Sequence, residues 1–316
     1  MKFANYEYYE QIGQGAFGTI YKGRNIRTGE TVVIKTEPID VKFLTLKHES
    51  NILNILYSKS CRNIPPTYWY GTIANPNRRA LVMPFYKESL DAFIPKTEQS
   101  VLNIMCSAIS ILNHIHDKYV VHRDIKPANF MIHNDELVLI DFGLASFYVD
   151  SEEQHRPPAN PKKQHIIGTP KYASFHVHEG EEYSRRDDIM SMVYVGLFLL
   201  YGSKLWSDIP AFETQLKNTD VFHPINQWFK SHKPLQNIME LTKDWYQLRI
   251  TDAPRLLRSA KHPRSKELED SLSEAKEKTH RVFVGRIQFF AEQVYKLSFQ
   301  ERPSYKEYIE LFAKTI

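Results

Sequence analysis

Four polar residues in the middle of the chain have the types and spacing that phosphoryl transfer requires. Asp124 and Lys126 are followed by Asn129, and Asp141 opens the stretch 141–143 twelve positions after Asn129. Such a transfer depends on positioning and charge neutralisation more than on covalent chemistry. Asp124 would accept a hydroxyl proton, and Lys126 would place a positive charge beside the moving group. Asn129 and Asp141 offer the oxygen ligands that a divalent cation prefers.

The segment between Asn129 and Asp141 has the pattern of a short β-hairpin. Two apolar runs, 130–132 and 137–140, are separated by Asn134-Asp135, a pair typical of a tight turn. The sequence therefore predicts that a hairpin connects the two polar motifs.

Two neighbours of Asp141 have predicted structural roles. Phe142 would pack beneath a helix that carries an ion-pairing glutamate. Gly143 would let the backbone turn at a point where a side chain would clash. Both predictions concern the support of the Asp141 carboxylate.

A glycine-rich stretch lies near the start of the chain, at residues 12–21. Gly13, Gly15 and Gly18 form a G-x-G-x-x-G pattern, whose glycines let backbone N–H groups approach phosphates. Dinucleotide-binding folds have the same pattern between a strand and a helix. Here β-type residues follow, then a turn at 27–30 and a second β-type run. This strand, turn and strand order favours a phosphate-covering loop.

Lys35 ends the apolar run 32–34 that follows this loop. Its position predicts that it bridges two phosphates and pairs with a helical glutamate. The candidate is Glu49, within the run 43–56, where leucines fall at helical spacing on the same side as Glu49. Glu37 is the competing partner, and we reject it because it is too close to Lys35 in sequence and borders a proline-containing loop.

With these residues assigned, the chain resembles the eukaryotic protein kinases, in which residues 122–129 are the catalytic loop and residues 141–143 the magnesium-binding loop. Within them it is similar to the casein kinase 1 group and is identified as a divergent member, with the catalytic domain alone. The resemblance thins between about residues 204 and 280. Tau-tubulin and vaccinia-related kinases share parts of the motifs, but casein kinase 1 proper is nearer. The narrower resemblance rests on residues 168–174, 184–191 and 301–305.

Three positions depart from the pattern of that group. Lys171 stands where arginine is usual, Ala128 where an acidic residue is usual, and Lys204-Leu205-Trp206 where Leu-Pro-Trp is usual. None removes a catalytic group. Lys171 bears on substrate preference, because lysine lacks the bidentate fork of arginine.

The resemblance implies that ATP is the phosphate donor and that Mg²⁺ is the metal, for which Mn²⁺ would substitute. It assigns catalysis to Asp124, Lys126, Lys35 and Glu49, and metal binding to Asn129 and Asp141. With Met83 as gatekeeper, adenine would bind the Pro84 carbonyl and the Tyr86 N–H. The expected nucleotide site comprises Ile12, Gly13, Gln14, Gly15, Ala16, Phe17, Gly18, Ile20, Ile34, Lys35, Met83, Pro84, Phe85 and Tyr86.

The resemblance also implies an anion site beside the substrate groove. Lys171, Arg185 and Arg186 would bind a phosphate or carboxylate that lies a few residues before the target hydroxyl. We therefore expect protein substrates that are acidic or already phosphorylated.

Two further residues would support the catalytic loop. Asp188 would hold the loop backbone by charge-assisted hydrogen bonds, and Thr169 would bond toward Asp124 and Lys126. We expect activity without phosphorylation of the activation segment, in which Ser151 and Thr169 are candidate acceptors.

The expected fold class is α+β, with the bilobal protein-kinase fold. Residues 1–83 would form a small antiparallel β-sheet lobe with one main helix, and residues 84–87 the hinge. Residues 88–316 would form a larger, mainly helical lobe.

Composition narrows the setting. The chain has 316 residues, 42% of them apolar, which is enough for a large core. The net charge of +4 argues against dedicated nucleic-acid binding. Two cysteines indicate a reducing compartment, so we expect a cytoplasmic or nuclear protein. We also expect a monomer. The longest apolar stretch, 192–201, is too short to span a bilayer and predicts a buried helix.

Two rival functions remain open. A pseudokinase scaffold would use the fold only for binding, but such proteins usually lack one of the catalytic residues, and all are present here. A small-molecule kinase is disfavoured by Gly168-Thr169 and by the basic groove.

Overall fold

The computed structural model describes most of the chain outside the long segment 202–281. Predictions that concern Ala16, Phe17 and the positions 204–206 lie outside the described residues. The described residues divide into two compact units, one of residues 1–94 and 111–156 and the other of residues 95–110 and 157–316. The described ranges are 2–15, 18–41, 44–58, 61, 63–74, 77–93, 95, 97–158, 167–178, 180–201, 282–283, 285–287 and 289–314.

Strands predominate in the first unit. They are β1 (Lys2–Phe3), β2 (Tyr6–Gly15), β3 (Gly18–Asn25), β4 (Thr31–Pro38), β5 (Trp69–Ile73), β6 (Arg78–Pro84), β7 (Glu88–Ser89), β8 (Val120–Val121), β9 (Phe130–His133), β10 (Glu136–Leu139) and β11 (Ser146–Phe147). Across both units, the described α-helices include α1 (Thr45–Leu56), α2 (Glu98–Asp117), α3 (Phe175–His178), α4 (Arg185–Tyr201) and α5 (Tyr305–Ala313). The described 3₁₀ turns include η1 (Pro127–Asn129), η2 (Phe142–Leu144) and η3 (Pro170–Tyr172).

An antiparallel sheet with the strand order β1-β2-β3-β4-β6-β5 forms the framework of the first unit. The predicted order of strand, turn and strand at the glycine-rich loop is confirmed by the β2–β3 and β3–β4 pairs. The turn between β3 and β4 requires Gly29, whose φ is +76° and whose N–H donates to the Asn25 carbonyl at 2.8 Å. Strand β6 ends at Pro84, one residue past the predicted end of the small lobe at residue 83.

A hydrophobic core cluster on one face of the sheet contains alternate residues of its central strands. Val32 and Ile34 of β4 pack with Ala80 and Val82 of β6, and all four are fully buried. Since successive strand residues point to opposite faces, Lys35 lies on the other face from this cluster. Burial of Val32 and Ile34 thus determines that Lys35 lies on the opposite face of β4.

Helix α1 packs against β4, β6 and η2. Leu46, Leu53 and Leu56 are buried on one side of it, and Glu49 lies on the same side. The helix begins at Thr45, two residues after the start that the leucine spacing predicted.

The predicted hairpin before Asp141 is confirmed. Strand β9 pairs with β10, with Leu139 opposite Phe130 and Glu136 opposite His133. Asn134 and Asp135 form its turn with φ angles of 51° and 63°, the left-handed conformation that such two-residue turns need.

The second unit is helical in its described residues. Almost every residue of α4 with a described side chain is buried, which confirms the buried helix predicted around 192–201. A Cβ on Gly196 would lie 3.1 Å from the Met105 sulfur, so α4 approaches α2 closely here. Phe290 packs edge-on against Tyr308 and Phe312 of α5.

The sheet and helices confirm the expected α+β class. The boundaries 1–83, 84–87 and 88–316 stay a prediction. Among the helices of the described ranges, none is long and apolar enough to cross a membrane.

Candidate active site

The predicted catalytic loop places two of the predicted residues, Lys126 and Asn129, against the Asp124 side chain. The Lys126 ammonium lies 2.7 Å from Asp124 Oδ2. Asn129 Nδ2 donates to the Asp124 carbonyl at 2.8 Å and to Asp124 Oδ2 at 3.1 Å. Asp124 is 7% exposed, so these contacts orient a nearly buried carboxylate.

Hydrogen bonds to the backbone fix the loop on both sides of Asp124. His122 Nε2 lies 3.0 Å from the Ile140 carbonyl, and His122 Nδ1 accepts from the Asp124 N–H at 3.3 Å. Because a carbonyl can only accept, the imidazole proton is on Nε2. The Ile140 N–H in turn donates to the Asn129 carbonyl at 2.9 Å. These bonds connect the catalytic loop to the residue that precedes Asp141.

A second group joins Lys35 to its predicted partner Glu49 and also to Asp141, a contact that was not predicted. Lys35 Nζ lies 2.6 Å from Glu49 Oε1 and 2.7 Å from Asp141 Oδ1. The Glu49 side chain is 2% exposed. Phe142 is fully buried in η2, which packs against α1 as predicted. The structure therefore brings the strand, the helix and the predicted metal-binding loop to one point.

The charges of this group reinforce one another. Burial alone would lower the pKa of Lys35, but the Glu49 and Asp141 carboxylates outweigh it and hold that pKa well above its ordinary value. The Lys35 ammonium lowers the pKa of Asp141. Burial raises the pKa of Glu49, and Lys35 opposes that shift. Asp141 is consequently ionised, as a metal ligand must be.

Asn129 and Asp141 fit a divalent cation by their chemistry. The Asp141 side chain is 47% exposed, and its carboxylate is ionised. Both hydrogen bonds of the Asn129 amide to Asp124 use its nitrogen, which leaves the amide oxygen as a ligand atom. In the described part of the chain, no group of three or more His, Cys, Asp or Glu side chains is arranged to hold a metal. Two oxygen ligands suit Mg²⁺, which takes its other ligands from phosphates and water.

The glycine-rich loop is held by strand packing at Gly18. A Cβ on Gly18 would overlap the carbonyl oxygen of Thr36, whereas one on Gly13 would make an ordinary contact with Ile20. Gly15 pairs with Gly18 across the loop, and the Gln14 amide oxygen accepts from the Thr19 hydroxyl at 3.2 Å. Gly18 is therefore needed for the approach of β3 to β4, whatever it does for phosphates. Ile12 is exposed on β2.

One predicted nucleotide contact is wrong. Ile34 lies in the buried core cluster, on the opposite face of β4 from Lys35. Val33, which was not predicted from the sequence, lies on the same face of β4 as Lys35 because the two residues are two positions apart. Val33 stands opposite Met83 in the strand register. Ile20 stands opposite Lys35. The alternation of the strand would have found Val33.

The predicted hinge residues follow the end of β6. Met83 is 5% exposed. The Phe85 ring lies beneath Lys22 Nζ, 4.9 Å from it, and the Tyr86 ring contacts His133 edge-on at 5.3 Å. The adenine contacts assigned to the Pro84 carbonyl and the Tyr86 N–H stay predictions.

In the second unit, the two arginines of the predicted anion site are buried. Arg185 is 9% exposed and donates from Nη2 to the Gln300 carbonyl at 2.5 Å. Arg186 is 5% exposed, forms an ion pair with Glu181 and donates to the Leu297 carbonyl at 3.3 Å. Both arginines thus support the segment around residues 297–300.

The other predicted residues of this unit lie on or beside short helical elements. Lys171 is half-buried on η3, and Thr169 immediately precedes that turn. Asp188 is fully buried in the first turn of α4. The predicted roles of Lys171 as an anion ligand, and of Thr169 and Asp188 as supports of the catalytic loop, stay predictions.

The prediction for Gly143 is wrong. A Cβ on Gly143 would lie 3.8 Å from Asp141 Oδ1 and 4.0 Å from Glu49 Oε2, which are ordinary contacts. The left-handed residue of this turn is Asp141 itself, with φ 69° and ψ 66°. The conformation depends on the surrounding contacts, and the residue type did not signal it.

Three supporting side chains were missed by the sequence analysis. Glu37, rejected as the partner of Lys35, instead accepts hydrogen bonds at the start of α1. His48 Nε2 donates to the Ala145 carbonyl at 2.7 Å, beyond the Asp141 loop. Arg123, with φ 68°, donates from Nε to the Leu144 carbonyl at 2.6 Å. Residue type alone carried no signal for the last two contacts.

The role of Asp187 at the start of α4 was also not predicted, although its position three residues after Ser184 is informative. Its carboxylate accepts from the Ser184 N–H at 2.7 Å and from the Ser174 hydroxyl. A serine followed three positions later by an acidic residue is a signature of a helix start. Burial raises the pKa of Asp187 to about 6, against the effect of its hydrogen bonds.

Comparison with known families agrees with this geometry. A family model described as "Protein kinase domain" matches residues 6–310, nearly the whole chain. The match includes both groups of polar residues around Lys35 and Asp124. It confirms the expected fold class, the α+β bilobal protein-kinase fold. The chain belongs to the protein kinase domain family.

Proposed function

We propose that this chain is an active serine/threonine protein kinase of casein kinase 1 type that uses Mg-ATP. Membership of the family implies use of ATP and a divalent metal. The observation that carries the proposal is the completeness of the two charged groups. Lys35 contacts both Glu49 and Asp141, while Lys126 and Asn129 contact Asp124.

In the proposed mechanism, each residue acts through a contact already described. Asp124 orients the hydroxyl of the protein substrate and accepts its proton as the oxygen bonds to the γ-phosphorus. The bond between that phosphorus and the bridging oxygen of the β-phosphate breaks in the same step, and ADP is the leaving group. Lys126 stabilises the negative charge on the transferring phosphoryl group. Lys35, held by Glu49, fixes the α- and β-phosphates of the donor.

Asn129 and Asp141 would hold the divalent cation, for which we propose Mg²⁺. The cation neutralises phosphate charge when bound. Lys35 keeps Asp141 ionised and positioned for that role.

Substrate preference is the finer part of the proposal. The Lys126 ammonium beside Asp124 supports transfer to serine and threonine. Lys171 is the half-buried member of the predicted anion site, whereas Arg185 and Arg186 are buried against other segments. We therefore propose that Lys171 recognises an acidic or phosphorylated residue, whereas the two arginines support the segment around residues 297–300. We also propose that the protein is active without phosphorylation of the activation segment. We further propose that it is a monomer and that it is located in the cytoplasm or the nucleus.

The test is transfer of labelled phosphate from Mg-ATP to three peptides that differ only in a serine, threonine or tyrosine acceptor. We expect labelling of the serine and threonine peptides and none of the tyrosine peptide. The control, Lys35→Met, should lose the labelling while remaining folded. If the wild-type protein binds ATP and labels none of the peptides, the chain is a scaffold rather than an enzyme. Labelling of tyrosine would contradict the assigned specificity.

A further inference from the structure

Helix α1 carries Glu49 but lacks a cap of its own. Leu44 stands at its N-cap position, and an apolar side chain cannot accept the N–H groups that a helix start leaves without partners. The first turn, Thr45 to His48, contains no acidic residue. A helix start of this kind needs an acceptor from elsewhere in the fold.

Glu37 of strand β4 provides that acceptor. Its Oε2 atom accepts from the Thr45 hydroxyl at 2.6 Å and from the Leu46 N–H at 3.2 Å. A carboxylate is also favoured at this end of a helix by the helix dipole. The cap of α1 is therefore a side chain that precedes the helix by eight residues.

The burial of Glu37 shows how strongly its position is determined. Glu37 is 1% exposed, and a carboxylate buried to this extent needs compensating charge. Arg79 stands opposite Glu37 in the register of β4 and β6, with Nη1 3.7 Å from Oε1. The sheet thus fixes both the carboxylate and its counter-charge.

Lys35 and Glu37 are two positions apart on β4, so their side chains leave the same face of the strand. Lys35 holds Glu49 at 2.6 Å, and Glu37 holds Thr45 and Leu46 one helical turn earlier. A helix that contacts the strand at one residue can rotate about that contact. Two contacts one helical turn apart fix its position along the strand. We infer that Glu37 is a positioning residue that holds α1 where Glu49 meets Lys35.

This inference rests on the proposed function for its effect on catalysis, but its structural part can be measured without catalysis. Glu37→Gln keeps the shape of the side chain and removes its charge. We expect amide hydrogen exchange in residues 45–56 to become about tenfold faster, because a neutral amide oxygen accepts more weakly than a carboxylate and lacks the negative charge that the helix dipole favours. The matched control is Glu10→Gln, the same change at an exposed position of β2 in the same sheet, which should leave that exchange unchanged.

A second pair of variants covers the case in which Glu37→Gln does not fold. Thr45→Val removes the hydroxyl that donates to Glu37, and Thr45→Ser keeps it. Thr45→Val should also speed exchange in α1, and Thr45→Ser should restore the wild-type rate. Unchanged exchange in both Glu37→Gln and Thr45→Val would overturn the inference.

The catalytic part is tested by a double-mutant cycle. Glu37→Gln should lower kcat/KM for peptide phosphorylation about tenfold in the wild-type background. In a Glu49→Gln background it should have almost no further effect, since Glu37 acts through Glu49. An equal loss in both backgrounds would overturn the positioning role. If the wild-type protein transfers no phosphate, the proposed function is refuted. The hydrogen-exchange data would still show whether Glu37 caps α1.

Discussion

Asp141 serves two neighbours through a single carboxylate. It forms an ion pair with Lys35 at 2.7 Å, its side chain is 47% exposed, and it is the proposed ligand of the cation. Lys35 holds the pKa of Asp141 below its ordinary value, so this carboxylate stays charged at neutral pH. This double use makes Asp141 the residue whose charge matters most in the group around Lys35.

Asp141→Asn should lower kcat by about a thousandfold, because an amide keeps the shape but gives up the charge that binds the cation and pairs with Lys35. The measurement is kcat across a magnesium titration, with circular dichroism to show that the fold is intact. Near wild-type turnover in this variant would refute the metal assignment.

His48 is the second residue with a defined test. Its Nε2 donates to the Ala145 carbonyl at 2.7 Å and links α1 to the segment after Asp141. His48→Leu should lower kcat/KM by about threefold to tenfold, since a hydrogen bond of roughly 1 kcal/mol is lost. His48→Gln, which keeps a donor at similar reach, should recover most of the activity.

The control for His48 is Lys47→Ala, an exposed neighbour on the same helix. The measurement is kcat/KM from steady-state kinetics of wild type, His48→Leu, His48→Gln and Lys47→Ala. Equal activity of His48→Leu and Lys47→Ala would show that the Ala145 contact has no catalytic consequence.

Residues whose roles follow from motif spacing were predictable from the sequence, and residues whose roles follow from local geometry were not. The Lys35–Glu49 pair was found because glycine loop, strand and helix follow in a fixed order. Ile34 was chosen where Val33 has the right strand parity. Gly143 was predicted to avoid a steric clash, but a Cβ at this position would make only ordinary contacts. The unusual backbone angle lies at Asp141 instead.

At the scale of elements, the hairpin β9–β10 was predictable because its turn residues and apolar runs are local signals. The start of α1 was less so, since its cap comes from Glu37 on another element. The start of α4 resembles a capping box, in which Asp187 accepts the Ser184 N–H. Unlike most caps, this carboxylate is fully buried.

The burial of Asp187 predicts a specific pH dependence of stability. Its pKa is raised to about 6 in the folded protein, against about 3.9 in an unfolded chain. Between those values the folded state binds more protons, so the stabilisation present below about pH 4 is lost as pH rises through about 6. The pKa difference corresponds to about 3 kcal/mol.

Asp187→Asn removes the titration. The free energy of unfolding of the variant, relative to wild type, should therefore rise by about 3 kcal/mol between pH 4 and pH 7. Urea unfolding of both proteins at several pH values measures it. A difference that does not change with pH would show that Asp187 has an ordinary pKa.

At the scale of the whole molecule, the family and its two charged groups were predictable, while contacts between distant segments were not. Arg185 contacts Gln300, 115 positions away, and no local pattern signals that bond. The predicted anion site therefore included two arginines that the fold buries. Lys171, half-buried on η3, keeps the role in the proposal.

Lys171→Ala should raise KM about tenfold for a peptide phosphorylated three residues before its serine, and change KM little for the unphosphorylated peptide. The reason is that only the first peptide presents the anion. Lys306→Ala, at an exposed lysine of α5, is the matched control. Equal effects of Lys171→Ala on both peptides would place substrate recognition elsewhere.

We propose that Asp124, oriented by Lys126 and Asn129, accepts the substrate proton in an active enzyme. The most direct test is single-turnover phosphate transfer by wild type and Asp124→Asn, with the nucleotide affinity of each measured separately. We predict that Asp124→Asn binds the nucleotide as wild type does and transfers phosphate at least about a hundredfold more slowly. Transfer at the wild-type rate by Asp124→Asn, or none by the wild-type protein with bound nucleotide, would contradict the account.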